Sequence, residues 1–169
     1  MRRAPDPHTE VREAQAGEVA QADRVACRAF VEYESEFPDW VPVLARGRPM
    51  TELASEATIL IATREGGIAG TVGYVGPGRA KHASFAPEWA ILRMMAVDPA
   101  HRGCGVSRAL VEECARLARR DGAEVLGLFT SPAMKAAIRL YASAGFRFVR
   151  DIEPVVGMPA RVLALRLAP

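Results

Sequence analysis

The stretch AVDPAHRGCGVSRALVEECARLARR, Ala96 to Arg120, decides the reading of this chain. An apolar run closing in Val97-Asp98-Pro99 passes two glycines, Gly103 and Gly105, and enters a segment with helical spacing. Val106, Leu110, Cys114, Leu117 and Ala118 fall on one face of that helix, and Arg108, Glu112, Arg116 and Arg119 on others. Glu112 and Arg116 are spaced to pair one turn apart. A helix N-terminus presents unpaired amide N–H groups and about half a positive charge, so an anion placed there is stabilised. The glycines let the backbone approach it, and Arg102 and Arg108 can add charge-assisted hydrogen bonds. A phosphate or pyrophosphate suits this loop, and a bare strand-to-helix turn accounts for the glycines equally well.

Working outward, Glu10–Ala14 reads as a short strand and 17–33 as a helix with apolar positions Val19, Ala22, Ala26, Ala29 and Phe30. Pro38, Pro42 and Pro49 break the next region into a loop or paired short turns, followed by a short helix in MTELASEA, 50–57. Thr58–Arg64 and Ile68–Val75 are two β-branched runs joined by Glu65-Gly66-Gly67, a hairpin. A strand over 89–97 precedes the glycine loop. Beyond the long helix come a buried-looking strand, EVLGLF (124–129), a helix over 131–144 with Pro132 in its first turn and Gly145 at its end, and strands in FRFVRDI (146–152) and RVLALRL (161–167). This order predicts an α+β sheet with helices on both faces. The expected organisation is a flexible N-terminal tail over residues 1–8 and a single domain over 9–169.

Composition narrows the classes. The 169 residues are 50% hydrophobic and 25% charged, with a net charge of +2, which lacks the basic excess of a nucleic-acid binder. No apolar stretch is long enough to span a bilayer, so no membrane partner is expected. Cys27, Cys104 and Cys114 form no C-x-x-C pattern, and His8, His82 and His101 lie far apart. The expectation is therefore no metal site, reduced thiols and a cytoplasmic protein.

Three phosphate loops compete for the glycines. A nucleoside-triphosphate P-loop requires a lysine after them, and none follows. A dinucleotide fingerprint requires a third glycine where Arg108 stands. The remaining pattern is R-x-x-G-x-[GA] after a strand ending in Val-Asp-Pro. LRMMAVDPAHRGCGVSRALVEECARLAR followed by AAIRLYASAGFRFV resembles the GNAT superfamily of N-acetyltransferases, most strongly over Ile91–Ile152. The resemblance implies a mixed, mostly antiparallel sheet of about seven strands. It places a parallel splayed pair at the centre and about four helices on both faces.

It also implies acetyl-CoA as cosubstrate. Backbone groups of Met95, Ala96 and Val97 would meet the pantetheine, and Arg102, Gly103, Cys104, Gly105, Val106, Ser107 and Arg108 would line the pyrophosphate. Tyr141 resembles the family's tyrosine that protonates the leaving thiolate, although its position also suits packing on the helix's apolar face with Ala137 and Ile138. Three residues depart from the family pattern: Ser107 for Gly or Ala, Met134 for a cofactor-contacting asparagine, and Ile91 for a strand glutamate that accepts the amine's proton. Glu88 is the nearest carboxylate upstream.

The expected reaction is acetyl transfer to a primary amine by direct attack in a ternary complex. A non-catalytic acyl-CoA sensor is the alternative that Ile91 suggests. The acceptor is expected to be a small molecule or peptide, and a homodimer through exposed strands is compatible with the fold. Glu32, Glu34, Glu36 and Asp39 beside Trp40 would suit a cationic amine, and Arg93 a carboxylate on the acceptor.

Overall fold

Ile59, Leu60, Ile61 and Ala62 are consecutive and all buried, so the strand that carries them needs cover on both faces. The computed structural model, which describes residues 8–168, supplies that cover. The elements run β1 (Glu10–Glu13), α1 (Ala16–Phe30), α2 (Val41–Ala45), α3 (Pro49–Leu53), β2 (Thr58–Arg64), β3 (Gly67–Val75), β4 (Ala90–Val97), α4 (Val106–Arg120), β5 (Val125–Thr130), α5 (Lys135–Ser143), β6 (Arg147–Val155) and β7 (Met158–Arg166). The tail expected over residues 1–8 falls, His8 apart, outside the described residues.

The strands form one sheet in the order β1-β2-β3-β4-β5-β7-β6. All neighbours are antiparallel except β4 and β5, which run parallel. Alternation along the strands divides the core in two. Leu60, Val72, Leu92, Leu126 and Leu128 pack with Val106, Leu110, Cys114 and Ala118 of α4 and with Tyr141 of α5. Ile59, Ile61, Val75 and Ile91 face the other way, onto Ala22, Ala26 and Phe30 of α1 and Met50 and Leu53 of α3.

The hairpin turn between β2 and β3 has Glu65 and Gly66 at φ of 51° and 79°, the two left-handed residues that a tight turn matching strand twist requires. The sheet and its helical cover agree with the expected class, five helices forming among the described residues, one of them α2, which the proline-broken region closes with Pro42 in its first turn. Two finer expectations need correction. The helix expected from Ser131 begins only at Lys135: Met134 has φ −80° and ψ 63°, outside the helical region, and leaves Pro132 in the preceding turn. Arg116 pairs with Glu113 at 2.7 Å, not with Glu112.

One buried carboxylate fixes how α3 meets α1. Asp23, 3% exposed, accepts hydrogen bonds from the backbone N–H of Met50 (2.7 Å) and Thr51 (2.9 Å) and from the Thr51 hydroxyl (2.5 Å). It caps the start of α3 from a different helix, satisfying donors that Pro49 and its neighbours leave open. Asp23→Ala is expected to destabilise the protein by about 2–4 kcal/mol, since it strands buried donors. Urea denaturation of both proteins checks this, and an unchanged midpoint would contradict it.

Candidate active site

β4 and β5 pair only at Ala90 with Leu126 and at Ile91 with Gly127, and then separate. The cause lies in β4. Its register against β3 slips between Arg93, opposite Gly73, and Ala96, opposite Thr71, and Met94 takes φ of 54°. This is a β-bulge with a non-glycine residue in the left-handed region, which bends the strand away from its parallel neighbour. Such a conformation costs about 1–2 kcal/mol and is kept only where surroundings enforce it.

Beyond the bulge, Asp98 N–H donates to the Ala69 carbonyl at 2.8 Å. By strand alternation Ala96 also turns its backbone toward β3, which leaves the N–H and C=O of Met95 and Val97 directed into the gap. Of the expected trio, Ala96 is buried and Met95 and Val97 half-buried.

The chain then turns through Pro99–His101 and the two glycines. Gly103 and Gly105 have φ of 77° and 81°, and a Cβ on either would meet nothing within 4 Å. The glycines are therefore required by conformation, and the space above them is open. Gly105 offers no side-chain cap and the first turn of α4 holds no acidic residue. The first hydrogen bond of this turn runs from Ala109 N–H to the Gly105 carbonyl, at 3.0 Å. The amides of Val106, Ser107 and Arg108 precede it and point out of the helix end, beside the half-buried Ser107 and Arg108 side chains. The Cys104 thiol donates only to the Arg102 carbonyl, at 3.8 Å.

Arg102 goes elsewhere. Its guanidinium forms a two-pronged pair with Glu32, both bonds 2.9 Å, and reaches the Ala29 carbonyl at 3.5 Å. One turn back on each element, Arg28 Nε donates to Asp98 at 3.0 Å. Burial raises the Asp98 carboxyl, but the Ala100 amide and Arg28 together hold it below the ordinary value. The end of α1 is thus clasped to the loop at two points, and the uncapped N-terminus of α4 turns its positive end to the loop.

The gap between β4 and β5 opens into a cleft of about 440 Å³, lined among others by Met94, Met95, Thr130, Met134 and Tyr141. Tyr141, 5% exposed, lies with its ring 5.5 Å from that of Phe146. Burial, with the neighbouring Cys114 thiol adding to it, pushes its phenol above the ordinary value of 10, so it stays protonated. Thr130 Oγ1 and Trp40 Nε1 are buried with no hydrogen-bond partner among the described residues.

The family model described as the acetyltransferase (GNAT) family matches residues 21–146. The chain belongs to the GNAT acetyltransferase family. Among curated proteins no sequence relative matches it. Solved structures share its fold at low identity. The ribosomal-protein-S18-alanine N-acetyltransferase from Escherichia coli is similar at 22% identity and a TM-score of 0.69, covering 95% of each chain. Ard1 from Thermoplasma volcanium matches at 19% identity and 0.73, covering 96% of this chain and 99% of its own. A GNAT family acetyltransferase from Brucella melitensis, solved with acetyl-CoA, matches at 21% and 0.62, covering 96% and 90%.

Ile91 is 1% exposed and packs in the core on the α1 side, so the strand supplies no carboxylate. Glu88 is exposed in the preceding loop and does not line the cleft. The acidic run beside Trp40 does not gather on the cleft either: Glu32 holds Arg102, Asp39 packs against Gly157 of the β6–β7 turn, and Trp40 alone of that run lines the space. Sequence reasoning missed the carboxylates that do line it, Glu52 and Glu56, spaced one helical turn apart in MTELASEA. Each is paired, Glu52 with Arg46 (2.9 Å) and Glu56 with Arg93 (2.8 Å).

Two of the three thiols report on this geometry. Cys114 is 0% exposed and burial raises its pKa, whereas Cys104 stands half-buried at the open loop. Under native conditions Ellman's reagent is expected to react with Cys104 and to reach Cys114 only on unfolding. Equal rates at the two positions would contradict the described packing.

Proposed function

We propose that this chain transfers the acetyl group of acetyl-CoA to a primary amine by direct attack in a ternary complex. Three features met along the chain support the reading, the divergence of β4 from β5 carrying most of it. An uncapped helix N-terminus follows two left-handed glycines, a gap between parallel strands begins beside it, and a buried phenol lines the cleft at the gap's other end. The residues fit the cosubstrate: the space over Gly103 and Gly105 is open, and the cleft side of β4 carries backbone groups without a strand partner. Similar structures solved with acetyl-CoA support the same assignment.

Bound there, acetyl-CoA supplies an activated acyl carbonyl and a thiolate leaving group. Gly103, Cys104, Gly105, Val106, Ser107 and Arg108 hold the pyrophosphate through amides and the helix charge. Arg102 serves by fixing the loop against Glu32. Met95 and Val97 offer backbone groups to the pantetheine, and an N–H in this segment stabilises charge on the acyl oxygen. The amine nitrogen forms the C–N bond as the C–S bond breaks. Tyr141 gives its proton to the sulfur and recovers one from solvent. With Ile91 in the strand, the amine's own proton leaves through water.

Tyr141→Phe is expected to lower kcat by about 100-fold or more while KM for acetyl-CoA changes little. The wild-type rate should rise with pH as the amine deprotonates. Because burial holds the Tyr141 phenol above 10, no alkaline fall should appear below pH 10. Steady-state thiol release over pH 6–10 measures both. Unchanged turnover in Tyr141→Phe would overturn the assigned acid, and acetyl-CoA binding without turnover on a broad amine panel would favour the sensor.

A further inference from the structure

The cleft carries two cations and two carboxylates, and every one has an opposite-sign partner within the cleft. No free carboxylate is left to hold a polyamine or a lysine-rich segment. The two pairs are not alike. Arg46 meets Glu52 with two hydrogen bonds, at 2.9 and 3.0 Å. Arg93 gives Glu56 one, from Nη1 at 2.8 Å, and the rest of its guanidinium has no partner among the described residues. Both members of the Arg93 pair are substantially exposed, at 40% and 56%, so the pair is weak and exchangeable. A guanidinium with an open fork is built for two-pronged capture of a carboxylate.

Position gives the rest of the ligand. Arg93 immediately precedes the bulge at Met94, and Met95 after it faces the gap where the acyl group would lie. Arg93 and Met95 lie two residues apart on β4 and line the same cleft, so a carboxylate held by Arg93 and an amine directed at the gap fit one small amino acid. Around this point the lining is apolar and aromatic: Phe30 and Trp40, with ring centroids 5.4 Å apart, Leu53, Met94, Phe129 and Met158. We propose that the acceptor is an α-amino acid with an apolar or aromatic side chain, its carboxylate displacing Glu56 from Arg93. This rests on the acetyl-transfer reading above.

The test compares L-phenylalanine, L-phenylalaninamide, phenethylamine and spermidine as acceptors, with wild type, Arg93→Gln and Glu56→Gln. Wild type is expected to favour phenylalanine over phenethylamine by about 10- to 100-fold in kcat/KM, and over the amide by a similar factor. In Arg93→Gln that ratio should collapse toward one. Glu56→Gln removes the competing carboxylate and should lower KM for phenylalanine by about 2- to 5-fold, a direction that simple loss of a structural ion pair would not produce. Equal use of acid, amide and amine by wild type, preference for spermidine, or a ratio untouched by Arg93→Gln would each overturn the proposal. Protection of Cys104 from alkylation by acetyl-CoA separates the two levels. Protection without carboxylate preference refutes only the acceptor class, and absence of protection refutes the transferase reading beneath it.

Discussion

The left-handed backbone at Met94 is the constraint on which the rest of this structure turns. A regular β4 would continue its parallel ladder with β5 and close the sheet, leaving the glycine loop as a turn with nowhere for a long ligand to go. The bulge lets two strands that share only two register pairs diverge while each keeps its outer, antiparallel neighbour: β3 on one side and β7 on the other. Strain at one residue is thereby offset by the antiparallel ladders on either side, that with β3 resuming beyond the bulge, and by cores on both faces, an arrangement suited to holding a gap open without a ligand.

The second organising feature is the clasp between α1 and the loop. Arg28 with Asp98 and Glu32 with Arg102 join two elements separated by 70 residues, at matching one-turn intervals. Solvent-exposed pairs of this kind add little stability singly. Their effect here is geometric: they set the height of the loop against the helix whose continuation carries Trp40 into the cleft. The glycine loop and the cleft are thus referred to the same helix.

Much of this was legible in the sequence, for identifiable reasons. Strand alternation, the glycine punctuation at 66, 122 and 145 and the amphipathic spacing of α4 are local signals, and they locate nearly every element. The loop's turn into α4 was readable because Gly103 and Gly105 must take left-handed φ there. What was not legible depends on pairs distant in sequence. Met94 carries no mark of its left-handed φ, because the residue type is the wrong one for it. That the Arg102 guanidinium pairs with Glu32 could not be read from the loop sequence either. Asp23 capping a helix that begins at Pro49, and Glu56 meeting Arg93, are invisible to any window of the chain. The acidic run beside Trp40 misled for the converse reason, since neighbours in sequence part in space, Glu32 to Arg102 and Asp39 to the turn at Gly157.

The account stands on the gap and the glycine loop forming one binding site for acetyl-CoA, and calorimetric titration of the protein with acetyl-CoA, ATP and NADH in moderate salt tests that most directly. Selective binding of acetyl-CoA at a stoichiometry of one per chain is the predicted result, with neither nucleotide binding comparably. Absence of acetyl-CoA binding, or equal binding of ATP, would mean that the loop recognises phosphate alone or nothing, and would contradict the account.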